Sequence, residues 1–232
     1  MFPIKDNLKI DRLPVVTLLL IAAQVVVYFF VQGGGIGHGP QPGEIADHGA
    51  VPYDLLHQAS ALPTLVTSTF LSAGFLPLLV SVVFLWWFGC TLEDSMARWR
   101  FLLLFLLGGA VSTAVLVALD ADSTTPVVGA AGAVGALIGG HLALYPGARF
   151  VTIRLLPFAS GLFELPSAAL AGVWVAAQAL LGLTSLGDHV GAGGTSAFVA
   201  HLAGLVFGAL AIRLLADRPK QVPRRRPVEA LA

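Results

Sequence analysis

The chain has 232 residues, 56% of them hydrophobic and 11% charged, with 13 basic and 13 acidic side chains and no net charge. A mean hydropathy of +0.85 excludes an ordinary soluble domain, in which about a quarter of the residues carry charge, and no nucleic-acid partner is expected. Cys90 is the only cysteine, so an internal disulfide is excluded.

Six apolar stretches, near 13–31, 64–88, 101–119, 126–146, 166–187 and 195–215, are long enough to cross a hydrocarbon core about 30 Å thick. Backbone polarity requires each to be a helix. The first follows positive charge, as a secretory signal would. Its apolar run is too long for one and no small-x-small site follows closely, so it reads as an uncleaved anchor.

In the loop that follows, 32–63, "QGGGIGHGPQPGEIADHG" reads as irregular and solvated, whereas "AVPYDLLHQASALP" is apolar enough to lie along a membrane interface. His38, His48 and His57 have neither a helical i, i+4 pair nor zinc-type spacing. They read as ordinary loop residues, and neither a metal nor a cofactor is expected. The second span contains Pro77, which should kink it. Cys90 at its end reads as a small packing residue. Glu93 and Arg98, five residues apart, either pair to shape the turn after this span or form a solvated pair of little consequence.

"PVVGAAGAVGALIGG", 126–140, opens the fourth span with a proline suited to a helix start and continues with almost nothing larger than valine. His141 near its end reads as reaching for the headgroups. An ionisable group in a span also raises a transporter or channel, but no other charge lies deep in the spans and no broken-helix repeat is evident. The tail 216–232, "ADRPKQVPRRRPVEALA", reads as disordered and basic.

All 13 basic residues fall on one side of these spans: Lys5, Lys9 and Arg12, then Arg98 and Arg100, Arg149 and Arg154, and six from Arg213 to Arg226. The loops after spans one, three and five carry aspartate and glutamate only. By the positive-inside rule both termini are cytoplasmic. The expected architecture is an all-α polytopic membrane protein: a cytoplasmic segment 1–12, a six-helix membrane domain 13–215 and the tail 216–232. Abundant alanine, glycine and arginine with three lysines suggests a bacterial inner membrane.

Helices in lipid approach closely through small residues. Gly132, Ala136 and Gly140 fall four apart in span four, Gly135 and Gly139 form a second row, and Gly204 and Gly208 match them in span six. These spans are expected to touch. With Pro126 opening span four, Ala131 lies about 7.5 Å deep, and His201, six residues after Thr195, about 9 Å deep. An intramembrane histidine is a functional-site candidate, set against the plainer reading of a side chain bonded to a neighbouring carbonyl.

At these residues the chain resembles the rhomboid intramembrane serine proteases. Members carry G-x-S-G in the fourth core helix and A-H-x-x-G-x-x-x-G in the sixth, where serine and histidine form a catalytic dyad. The chain reads Gly129-Ala130-Ala131-Gly132, and Ala200-His201-Leu202-Ala203-Gly204 followed by Gly208. "FLWWFGCTLEDSMARWRFLLLFLLGG", "LALYPGARFVTIRLLPF" and "LPSAALAGVWVAAQALLG" extend the likeness over most of 13–215. The resemblance places Ala131 at the nucleophile and His201 at the dyad histidine. Against a family motif like F-L-H-G-G-W-L-H-L-L-G-N, the chain has "FLSAGFLPLLVS". That sets Ser72 at the first histidine, and Pro77 and Ser81 at the histidine and asparagine that help hold the oxyanion.

A methyl group cannot form an acyl-enzyme. Proline offers no donor, and losing one oxyanion donor costs roughly 10²–10³ in rate. Nucleophile and oxyanion positions are degenerate together. The resemblance therefore implies a pseudoprotease that contacts the lipid bilayer and binds transmembrane segments of client proteins. The alternative is an active intramembrane serine-type endopeptidase with an atypical nucleophile, for which Ser72, Ser81, Ser123 and Ser196 are the candidates.

Overall fold

The computed structural model describes residues 2–8, 10–156, 159–184, 195–217 and 219. A bilayer core offers no water to backbone N–H and C=O groups, and the apolar stretches accordingly satisfy them within helices. In chain order the elements are β1 (Phe2–Asp6), α1 (Val15–Val26, extended by a π-turn over Val27–Val31), α2 (Pro42–His48), α3 (Pro52–His57) and α4 (Thr64–Thr67). They continue with α5 (Phe75–Asp94), α6 (Arg98–Leu119), α7 (Ala131–Leu144), β2 (Arg149–Leu156), β3 (Ala159–Pro166), α8 (Ser167–Thr184) and α9 (Thr195–Leu215).

The fold is mostly helical, as an all-α membrane protein is. Among the described residues α5, α6 and α9 are long and apolar enough to cross a membrane. Val15–Val31, Ala131–Leu144 and Ser167–Leu180 are shorter apolar helices.

Two helix starts depart from the expectation. The second span, read as 64–88, is broken: α4 and a 3₁₀ turn at Ser68–Phe70 are followed by Leu71 in extended conformation, and α5 begins only at Phe75. Pro77 therefore falls in the first turn of α5, where a missing N–H costs nothing, and it does not kink a helix interior. The fourth span does not open at Pro126. Val127 instead exchanges backbone hydrogen bonds of 2.8 and 2.9 Å with Ala50, and α7 starts at Ala131. Its 14 residues span about 21 Å.

Three strands, unanticipated from the sequence, form an antiparallel sheet in the order β1-β2-β3. Arg149 pairs with Pro166 and Leu156 with Ala159 in β2–β3, and Phe2 pairs with Ile153 in β1–β2. The sheet follows the C-terminus of α7, at the end of the bundle where Arg98, Arg100 and Arg213 also lie. This is the basic end, and the opposite end carries Asp120 and Asp122.

The loop expected to be irregular over 32–49 contains α2, and the apolar half contains α3 and a 3₁₀ turn at Ala59–Ala61. His57 Nδ1 lies 2.8 Å from the Tyr53 carbonyl and His48 lies 4.0 Å from Glu44. No group of three metal-ligating side chains occurs among the described residues. The tail read as disordered lies outside the described residues apart from 216, 217 and 219.

The core is packed from Phe84, Leu85 and Phe88 of α5, Phe101, Leu104 and Phe105 of α6, Leu137 and Ile138 of α7, and Trp174 of α8. His141 belongs to this interior and does not reach for headgroups. It is fully buried, with ring centroids of Phe88, Tyr145 and Phe150 at 5.0, 5.6 and 6.1 Å. Cys90 is also buried.

Glu93 is buried and accepts hydrogen bonds from the Val16 N–H (2.9 Å), the Thr17 N–H (2.8 Å) and the Thr17 hydroxyl (2.8 Å). A carboxylate there answers both the orphan donors and the positive dipole end of α1. Arg98 approaches it at 3.7 Å with its own side chain 58% exposed, so the buried partner is Glu93 and its role is the cap on α1, with the ion pair a largely solvated addition.

Candidate functional site

The site is assembled where α7 begins. Gly129 has φ +122°, a conformation that L side chains rarely adopt, and its N–H donates to the Ser68 carbonyl at 2.9 Å. That turn delivers Ala130 as the residue capping α7 and Ala131 as its first helical residue. Ala131 is partly buried and presents only a methyl group.

From there α7 is gripped on two sides, and its two rows of small residues divide the task. A side chain at Gly132 would run into Ser112 of α6, and one at Gly108 of α6 would run into the Ala136 methyl. The other row meets α9: a Cβ at Gly135 would stand 2.9 Å from the His201 carbonyl oxygen, and one at Gly139 would collide with the Leu205 carbonyl. In return, a Cβ at Gly204 or Gly208 would strike the backbone carbonyl of Gly132 or Ala136. The sequence assigned both rows to span six. Only Gly135 and Gly139 serve it directly, while Gly132 and Ala136 give it their backbone and give α6 their other face.

This contact fixes the relative level of Ala131 and His201. Gly204 touches Gly132, Ala131 is one residue before Gly132, and His201 is three residues before Gly204. Ala131 and His201 therefore stand at the same, acidic end of the α7–α9 pair. The His201 Nδ1 atom is buried with no hydrogen-bond partner among the described residues, so the plainer reading of a neighbouring carbonyl is not met at that nitrogen. The ring centroid of Trp174 lies 6.5 Å from that of the imidazole, and Trp174 also closes on Gly135. The arrangement supplies an imidazole and no hydroxyl at residue 131.

The second-span residues are turned to other partners. The Ser81 hydroxyl donates to Gln24 Oε1 of α1 at 2.8 Å, not to the preceding turn of its own helix. The Ser72 hydroxyl donates to the Gly74 carbonyl at 2.9 Å. Its backbone is clamped by Gln32, whose Oε1 accepts from the Ser72 N–H at 2.9 Å while Nε2 donates to the Ser72 carbonyl at 3.0 Å. Pro77 contributes no polar group. Ser123 Oγ accepts from the Thr125 N–H at 3.3 Å, and the side chain of Ser196 lies outside the described set.

Sequence reasoning passed over Gln24, Gln32 and Trp174. The signal for the two amides was present: Thr17, Gln24, Tyr28 and Gln32 are all buried and share one face of the first span at helical spacing. Polar side chains within a span seldom go unpartnered.

A search of curated proteins gives no match. A family model for the rhomboid domain matches residues 59–218, well over half of the 232-residue chain, and takes in everything from the end of the first loop to the end of α9. On that match the chain belongs to the rhomboid family.

Proposed function

We propose that this is a rhomboid-family pseudoprotease, a membrane scaffold without serine protease chemistry that binds transmembrane helices of client proteins. The observation that carries this reading is that Ala131 and His201 stand toward the same end of a tightly packed α7–α9 pair. The side chain that the family resemblance sets at the nucleophile position is only a methyl group, and His201 Nδ1 has no hydrogen-bond partner among the described residues. The engaged hydroxyls of Ser72 and Ser81 support it further, because each donates its hydrogen bond elsewhere. In this reading the His201 imidazole serves helix packing, with the Trp174 ring centroid 6.5 Å from its own.

The reading places six spans within 13–215, with the basic end cytoplasmic, both termini on that side, and the whole in a bacterial inner membrane. The distribution of all 13 basic residues supports this orientation. A fluorophosphonate probe added to the protein in liposomes tests the chemistry. The expected result is no covalent adduct, whereas an adduct on Ser72, Ser81, Ser123 or Ser196 that disappears in His201→Ala overturns the reading.

A further inference from the structure

A cleft of about 350 Å³ opens at the acidic end, between the first loop and α6. One wall is Leu55 and Leu56 of α3 with Leu62 and Leu65 around α4, and the other is Ala114 and Ala118 of α6. Every residue lining it is leucine, valine or alanine. Such a surface offers a ligand no hydrogen bond and no charge.

Its position follows from the helix that forms its back wall. Along α6 an exposed stripe runs through Leu103, Leu107, Ala114 and Ala118, at the i+4 and i+7 spacing of one helix face. On a membrane-crossing helix this stripe is the lipid-facing surface. It changes from leucine to alanine in the last turns, and there the leucines of the first loop overhang it. The recess is thus a continuation of the lipid-facing belt. Ala114 lies five residues, about 7.5 Å, inside the end of α6 at Leu119, which is the level of lipid tails. Leu56 and Leu62, both more than half exposed, line it on the loop side.

We propose that this cleft holds one acyl chain of a lipid from the leaflet at the acidic end, packed between the first loop and α6. The lipid is the occupant because the cleft is continuous with the surface that lipid already covers, and because its lining recognises hydrocarbon alone. The chain supplies the apolar contacts that the alanines of α6 leave unmade, and so couples the loop bearing α3 and α4 to the bundle.

The test uses the full chain in liposomes of phosphatidylcholine doped with a phosphatidylcholine that carries a diazirine on its acyl chain, followed by irradiation and peptide mapping. The expected result is labelling of residues 55–65 and 114–118 several-fold above that of Leu18 and Leu19, an exposed face of α1. Ala118→Phe, which fills the recess, should remove the excess, and Ala114→Leu should do the same if the first variant does not fold. Labelling no stronger than on the α1 face, or an excess that survives both fillings, overturns the proposal. Cross-linking of the cleft residues to a second copy or to a single-span client peptide, at the expense of lipid, overturns it equally.

Discussion

The Ser81 hydroxyl donates a 2.8 Å hydrogen bond to Oε1 of Gln24 and ties α5 to α1 in the apolar interior. Gln24 is 2% exposed, and its Nε2 has no partner among the described residues. Ser81, which the family resemblance sets at an oxyanion-holding asparagine, thus serves a helix contact.

Ser81→Ala is predicted to destabilise the protein by about 1–3 kcal/mol, because it leaves a buried amide oxygen unsatisfied. Adding Gln24→Leu should recover most of that loss, since replacing both partners with apolar groups is nearly neutral. A double-mutant cycle on unfolding in detergent measures this. Additive losses would contradict the pairing.

Gly208→Ala places a methyl group against the Ala136 carbonyl, and Gly204→Ala places one against Gly132. Each should cost about 1–3 kcal/mol through overpacking against backbone that cannot yield. Gly172→Ala in α8 meets nothing within 4 Å and should be neutral or mildly stabilising. Thermal unfolding of the three variants side by side checks the contrast.

Gly129→Ala is predicted to destabilise by about 1–3 kcal/mol although its added methyl meets open space, since the cost arises from φ +122°. Gly43, in α2 and equally open, is the control: Gly43→Ala should cost nothing. Equal stability of the two variants would show that the turn before α7 is unstrained.

Glu93→Ala should cost about 3 kcal/mol or more, because a buried carboxylate holds three donors of α1. Arg98→Ala should cost less than about 1 kcal/mol, its side chain being 58% exposed. Chemical unfolding distinguishes them, and similar losses would mean that the ion pair, not the cap, holds this end together.

Hydropathy and charge were enough to read the apolar helices, because a bilayer core selects them by length and composition. The breaks were not legible. Leu71–Gly74 and Pro126–Ala130 do not stand out from their neighbours in hydropathy, and distant partners hold them out of the helices: Gln32 on the Ser72 backbone in the first, Ala50 on Val127 and Ser68 on Gly129 in the second. The sheet escaped notice because "RFVTIRLL" and "ASGLFELP" are short and lie between two long apolar runs, although "VTIRL" carries the apolar–polar alternation of a strand. At the site, the small-residue rows and His201 were readable from spacing. The division of Gly132 and Gly135 between α6 and α9 was not, since lipid-facing and core-facing residues are equally apolar in these helices.

The most direct measurement is cleavage of a labelled transmembrane substrate with a helix-destabilising segment by the reconstituted protein, beside His201→Ala and the triple variant Ala131→Ser, Pro77→His, Ser81→Asn. The account predicts no cleavage by the native chain and none by His201→Ala, with any activity confined to the triple variant. Cleavage by the native chain that is lost in His201→Ala would contradict it.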